Sequence, residues 1–144
     1  MADIPVAQAV GGTLAALGVR HVFGLIGSGN FAVSNALVAA GASFHAARHE
    51  GGAITMADAY SRVSGPETVG VCSVHQGPGL TNTLTGLTEA AKSRTPLLIL
   101  AADTAASALR SNFRIDQDGL VASVGAIPER LHSPASAPSR KKIQ

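Results

Sequence analysis

Short runs built almost wholly of apolar and β-branched residues recur between segments of helical period, and two of them run straight into glycine-rich turns. His21 to Ile26 leads into Gly27-Ser28-Gly29, and Thr68 to Val74 leads through His75 into Gln76-Gly77-Pro78-Gly79. Ser43 to Ala47 and Leu97 to Ala101 read as two further strands. Between them, apolar spacing near 3.6 marks helices over Val6 to Leu17, Phe31 to Ala40, Gly51 to Ser64 and Leu80 to about Lys92. Gly18, Gly41, Gly65-Pro66 and Thr95-Pro96 stop them. Strands that are apolar on both sides must be covered on both sides. The expected fold is therefore α/β, an open and mainly parallel sheet with helices on both faces and right-handed crossovers.

After Ala102 the pattern weakens. Asp103 to Phe113 is an Ala- and Ser-rich connection, and Ile115 to Ala126 reads as one helix, or a helix and a short strand. Residues 1–132 are expected to form one domain, with 133–144 as a Ser/Pro-rich, basic, solvated tail.

Composition narrows the function. With 46% hydrophobic and 14% charged residues, the chain has a core and is not a disordered protein. Of the net charge of +2, Arg140, Lys141 and Lys142 supply three positive charges, so the remainder carries −1. Aromatic residues make up 3%, too few for a base-stacking platform, and no nucleic-acid partner is expected. Cys72 stands alone, which excludes an internal disulfide and a thiolate zinc cluster. No basic segment followed by an apolar stretch marks a signal peptide, and no apolar run approaches the roughly 20 residues of a membrane span. A cytoplasmic location without membrane contact is the expectation.

Ligands of open parallel sheets sit beyond the carboxyl ends of the strands. The segments there are Gly27 to Asn30, Arg48 to Gly52 and His75 to Asn82. Gly27-Ser28-Gly29-Asn30-Phe31-Ala32 fits G-x-G-x-x-A, and Glu50 follows about 20 residues on, as a dinucleotide site would have it. The plainer account is a tight turn using glycine at positive φ. His49-Glu50 is half of a zinc-protease signature, but Ala53 stands where its second histidine belongs, so that chemistry is excluded. Glu50 is open to two accounts: an acid favoured by a helix dipole, or a carboxyl group held among Gly51, Gly52, Ala53 and Ile54 for proton exchange with a ligand. Cys72 lies inside an apolar strand, where cysteine acts as a small hydrophobe rather than a nucleophile. Alternation puts Cys72 and Val74 on one face, Ser73 and His75 on the other. His75 either donates to a ligand or caps its turn. No phosphate-cradling P-loop and no magnesium-holding carboxylate cluster is present in the sequence.

Three stretches, in order, resemble the N-terminal pyrimidine-binding (PYR) domain of thiamine-diphosphate-dependent enzymes, closest to the acetolactate synthase-like and 2-oxoacid decarboxylase group. They are Val22-Phe23-Gly24-Leu25 with Gly27 to Asn30; Arg48-His49-Glu50-Gly51-Gly52-Ala53 with Met56 to Arg62; and Gln76-Gly77-Pro78-Gly79-Leu80-Thr81-Asn82 running on to Leu100. The resemblance covers most of residues 4 to 130 and implies that Glu50 hydrogen-bonds N1′ of the cofactor's aminopyrimidine. There it favours the imino form, whose 4′-nitrogen removes the thiazolium C2 proton. It further implies that Gly77, Pro78, Gly79 and Asn82 line the pyrimidine pocket. Gly27, Ser28, Gly29, Asn30 and His75 would face the reacting end on the substrate side.

The Gly-Asp-Gly…Asn motif that holds Mg2+ and the diphosphate in that family is missing here. Thiamine diphosphate would therefore be shared with a diphosphate-binding partner domain or subunit that carries the Mg2+. The domain is also expected to lack the family's final helix and strand. Where many relatives have Phe-Gln-Glu, this chain has Phe113-Arg114-Ile115-Asp116. The resemblance implies a half-site, inactive alone, in a homo-dimer or higher assembly. A dinucleotide (NAD or FAD) domain using Gly27, Gly29 and Glu50, and a non-catalytic assembly fragment, stand as alternatives.

Overall fold

The computed structural model describes residues 5–132. Helix α1 (Val6–Ala16) leads into strand β1 (His21–Gly24), followed by α2 (Phe31–Ala39), β2 (Ser43–Ala46), α3 (Glu50–Ser64) and β3 (Gly70–Val74). Two helices, α4 (Pro78–Thr81) and α5 (Leu84–Ser93), precede β4 (Leu97–Ala101), and α6 (Gln117–Ser123) closes the described chain. The four strands form one sheet in the order β2-β1-β3-β4, and every pairing is parallel. The expected tail, 133–144, lies outside the described residues.

Alternation along the strands sorts two cores. Val22, Val71, Leu98 and Leu100 face one way and meet Leu37 and Ala42, with Leu14 of α1 and Val33 of α2 packed around them. Phe23, Cys72, Val74 and Ile99 face the other way, against Ala53, Ile54 and Ala57 of α3 and Leu80 of α4. Helices thus cover both faces, as the uniformly apolar strands required. Ser73 turns away from Cys72 as alternation predicts, and its hydroxyl meets Asn30 Nδ2 at 3.1 Å and Ser34 Oγ at 2.8 Å.

Only β3 is buried along its whole length; β2, at one edge, half-buries Phe44 and exposes the rest. β1 is shorter than its apolar run because the Leu25 carbonyl is taken by Asn30 Nδ2 at 3.2 Å, which draws the chain off the ladder into the turn. The single helix expected from Leu80 to Lys92 is two. Thr83 donates its hydroxyl to the Leu80 carbonyl at 2.7 Å and its N–H to the same oxygen at 3.0 Å, a tightened turn that ends α4 and restarts the helix at Leu84. On α3, Arg62 pairs with Asp58 one turn earlier at 2.9 Å and reaches Glu89 of α5 at 3.2 Å, tying the two helices together. Beyond β4 the described residues contain α6 and no further strand.

Candidate functional site

β1 and β3 lie side by side, yet the chain leaves them toward opposite edges, so the loops that follow them diverge at the sheet's switch point. An order of 2-1-3-4 is that of the flavodoxin-like class; a dinucleotide fold would put β3 outside β2. The topology therefore removes the structural basis for the dinucleotide alternative. In this crevice Ser28 Oγ stands 3.3 Å from His75 Nε2, and His75 Nδ1 stands 2.9 Å from the Gln76 carbonyl. With a proton on Nδ1 donated to that carbonyl, Nε2 accepts from the serine hydroxyl. The Phe113 ring meets the imidazole edge-on, centroids 4.7 Å apart.

Gly27 and Gly29 are glycines for want of space. Neither has positive φ, which corrects the turn-conformation account. A Cβ on Gly27 would come within 2.7 Å of His75 Cδ2, and one on Gly29 would collide with the Gln76 side chain. Asn30 is fully buried, and its amide is spent on the Gly27 N–H, the Leu25 carbonyl and Ser73. It holds the turn from inside, so its side chain does not face the open crevice.

Glu50 opens α3, capped by His49, whose Nδ1 accepts from the Gly51 N–H at 3.0 Å. The residue is 8% exposed. Its Oε2 accepts from Asn82 Nδ2 at 2.9 Å, while Oε1 makes no hydrogen bond among the described residues. Beside Oε1 lies Gly79: a Cβ there would sit 3.5 Å from Oε1 and 3.1 Å from His75 Cβ. The absent side chain leaves a notch between the carboxyl group and the His75 Cβ. Glu50, Asn82, Gly79, His75 and Ser28 thus form one continuous row.

The turn behind that notch is held from the far side. Gly77 has φ +64°, a left-handed conformation suited to glycine, and its N–H donates to Gln117 Oε1 at 3.0 Å. Gln117 Nε2 donates in turn to the Ala102 carbonyl at 3.0 Å, and Phe113 backbone closes over Gly77. Pro78 stands exposed at the first position of α4. Sequence analysis missed Gln117; the available signal was a polar residue directly after the capping Asp116, which accepts from the Gly119 N–H at 3.0 Å.

Cys72 lies beneath the row and is fully buried. Burial first, and the Glu50 carboxylate second, push its thiol up to about 12, which removes it as a nucleophile near neutral pH. A cleft of about 830 Å³ lies elsewhere, between residues 103–117 and 130–132. Its carboxylates are already committed, Asp103 to Arg130 and Asp116 to the start of α6. Among the described residues no group of three or more His, Cys, Asp or Glu side chains is placed to hold a metal.

A buried carboxyl group at a helix start, with one oxygen held by Asn82 and the other beside Gly79, stands at the switch point of a 2-1-3-4 parallel α/β sheet. The family described as thiamine pyrophosphate enzyme, N-terminal TPP binding domain, matches residues 4–122, and the chain belongs to it. It is 35% identical over 136 residues to the probable 2-ketoarginine decarboxylase AruI of Pseudomonas aeruginosa, covering 91% of this chain and 24% of that protein. With human 2-hydroxyacyl-CoA lyase 2 it shares 43% identity over 106 residues, 72% of this chain and 16% of the relative. With the acetolactate synthase large subunit of Buchnera aphidicola (strain Sg) it shares 36% over 91 residues, 62% of this chain and 16% of the relative. The chain therefore spans less than a quarter of the length of each of these relatives.

Proposed function

We propose that this chain is the pyrimidine-binding half of a thiamine-diphosphate-dependent enzyme that decarboxylates or carboligates 2-oxoacids. The observation that carries the proposal is the Glu50 carboxyl group, with Oε2 held by Asn82 and Oε1 open to the Gly79 notch. Relatives whose names specify a 2-ketoarginine decarboxylase and an acetolactate synthase support the substrate class.

When bound, the cofactor supplies a nucleophilic carbon for attack on a 2-oxo group. This chain's residues do the rest on their side. Glu50 holds and exchanges a proton at the pyrimidine nitrogen through Oε1, and Asn82 fixes the plane of that carboxyl group. Gly77, Pro78 and Gly79 shape the wall, and Gly79 gives the ring room. Ile54 and Ala53, fully buried behind Glu50, keep bulk water from that proton. On the substrate side, Gly27 and Gly29 let the backbone come close, and His75 with Ser28 holds a proton toward the crevice. Asn30 serves as the inner support of that loop.

The diphosphate and its Mg2+ belong, in this proposal, to a partner domain or subunit. A homo-dimer or higher assembly completes the site, and light scattering at micromolar concentration should show a species larger than one chain; a monomer there would count against it. No helix among the described residues is long and apolar enough to cross a membrane, and a cytoplasmic location goes with this proposal. Calorimetry tests the half-site directly. The 144-residue chain alone should bind no thiamine diphosphate, with or without Mg2+, and binding should appear once a diphosphate-binding half is supplied. Tight binding by the chain alone would overturn the division of labour.

A further inference from the structure

Ser28 and His75 meet a separate chemical description. A nucleophile, a base within hydrogen-bond reach and a third group that orients the base make up an activated hydroxyl. Here Ser28 Oγ is the nucleophile, His75 Nε2 lies 3.3 Å away, and the Gln76 carbonyl at 2.9 Å holds Nδ1. Phe113 packs edge-on against the ring and restricts its rotation. Gly27 lets the backbone of the Ser28 turn press against the imidazole. Ser28 is itself exposed, so an ester has access. Helix α2 begins at Phe31 without a side-chain cap, because Asn30 is turned inward. Flanking the turn, exposed Ile26 and Phe31 line an apolar groove of about 180 Å³ with Val38 and Phe44, which suits an aryl group.

We propose that Ser28 and His75 form a nucleophile–base pair that takes an acyl group from small aryl esters. The Ser28 oxygen bonds to the ester carbonyl carbon while its proton passes to His75 Nε2. The carbon–aryloxy bond then breaks, and the leaving phenol takes that proton. Water attacks the acyl-serine, giving its proton to His75, and the carboxylic acid leaves as Ser28 regains its hydroxyl. Nothing in this depends on thiamine diphosphate, so the proposal stands or falls on the chain alone.

The test uses the 144-residue chain, an alkyl fluorophosphonate probe and peptide mass spectrometry. Labelling should concentrate on the peptide containing Ser28 and vanish in Ser28→Ala. His75→Gln should slow it by roughly 10²-fold, the lower end of what a positioned base contributes. Should His75→Gln fail to fold, the wild-type chain unfolded in urea provides the comparison, and Ser28 should there lose its advantage. Labelling spread evenly over exposed serines such as Ser64 and Ser93, or a Ser28 rate unchanged by His75→Gln or by unfolding, overturns the proposal. A second readout is 4-nitrophenyl acetate hydrolysis, which should fall to the background rate in Ser28→Ala; equal rates in wild type and variant overturn it as well.

Discussion

Asn82 donates from Nδ2 to Glu50 Oε2 at 2.9 Å, joining the start of α3 to the break between α4 and α5. The contact explains the break's place in the fold. Had the helix run on unbroken, Asn82 would sit mid-helix; the tightened turn at Thr83 leaves it as the α4 cap, with its amide turned to the carboxylate. One oxygen is thereby fixed and the other is not, a division on which the proposed role of Glu50 rests.

Glu50→Gln should leave the fold intact, since the amide is nearly isosteric and still accepts from Asn82. With a diphosphate-binding half supplied, exchange of the cofactor's C2 proton, followed by NMR, should slow by roughly 10² to 10⁴-fold. An acid that merely complements the α3 dipole would instead cost about 0.3–1 kcal/mol of stability and leave exchange unchanged. The two outcomes are distinguished by measuring exchange and urea stability on the same pair of proteins.

Gln117→Ala should loosen the glycine turn from outside the row. Its loss strands the buried Gly77 N–H and the Ala102 carbonyl, a penalty of about 1–3 kcal/mol for an unsatisfied buried group. Amide hydrogen exchange should quicken at Gly77 and its neighbours while β1 and α2, which Gln117 does not touch, keep their protection. Uniform quickening across the sheet would mean a global loss of stability, and unchanged exchange at Gly77 would mean the clamp carries no weight.

Sheet, helices and the positions of the three loops were legible because each rests on local pattern: buried strands need apolar residues on both faces, and Gly-Pro-Gly cannot continue a strand. Glu50 was legible as a residue out of keeping with its small, apolar neighbours. What sequence could not show were relationships set by long-range packing. Gln117 is 40 positions from the Gly77 N–H it satisfies, and no periodicity links the two. Gly27 and Gly29 looked like conformational glycines because a turn usually explains a glycine, whereas the cause is His75 and Gln76 pressing from the loop after β3. Asn30 looked like a ligand-facing residue for the same reason: its burial depends on Ser73, which local sequence does not bring near. The helix break at Thr83 was hidden because a hydroxyl bonding back to a carbonyl leaves hydrophobic spacing untouched.

Cys72 ties the site to stability at alkaline pH. Its thiol is pushed from an ordinary 9.0 up to about 12 by burial and by the Glu50 carboxylate. In the folded chain the proton is therefore held well past the point where the unfolded chain releases it. Stability from this source is fully present below about pH 9 and falls as pH rises toward 12, because only the unfolded state gains a thiolate in that window. The slope is about 1.4 kcal/mol per pH unit. Urea unfolding at pH 8 and pH 10.5 should thus show a loss of about 2 kcal/mol attributable to this one group. The comparison is with Cys72→Ala, which differs only in lacking this thiol and should show a correspondingly smaller decline. Iodoacetamide gives the kinetic counterpart: the native thiol should resist alkylation at pH 8 and react once urea unfolds the chain. Parallel pH profiles for wild type and Cys72→Ala, or prompt alkylation of the native protein, would show that the thiol is neither as buried nor as coupled to Glu50 as the structure has it.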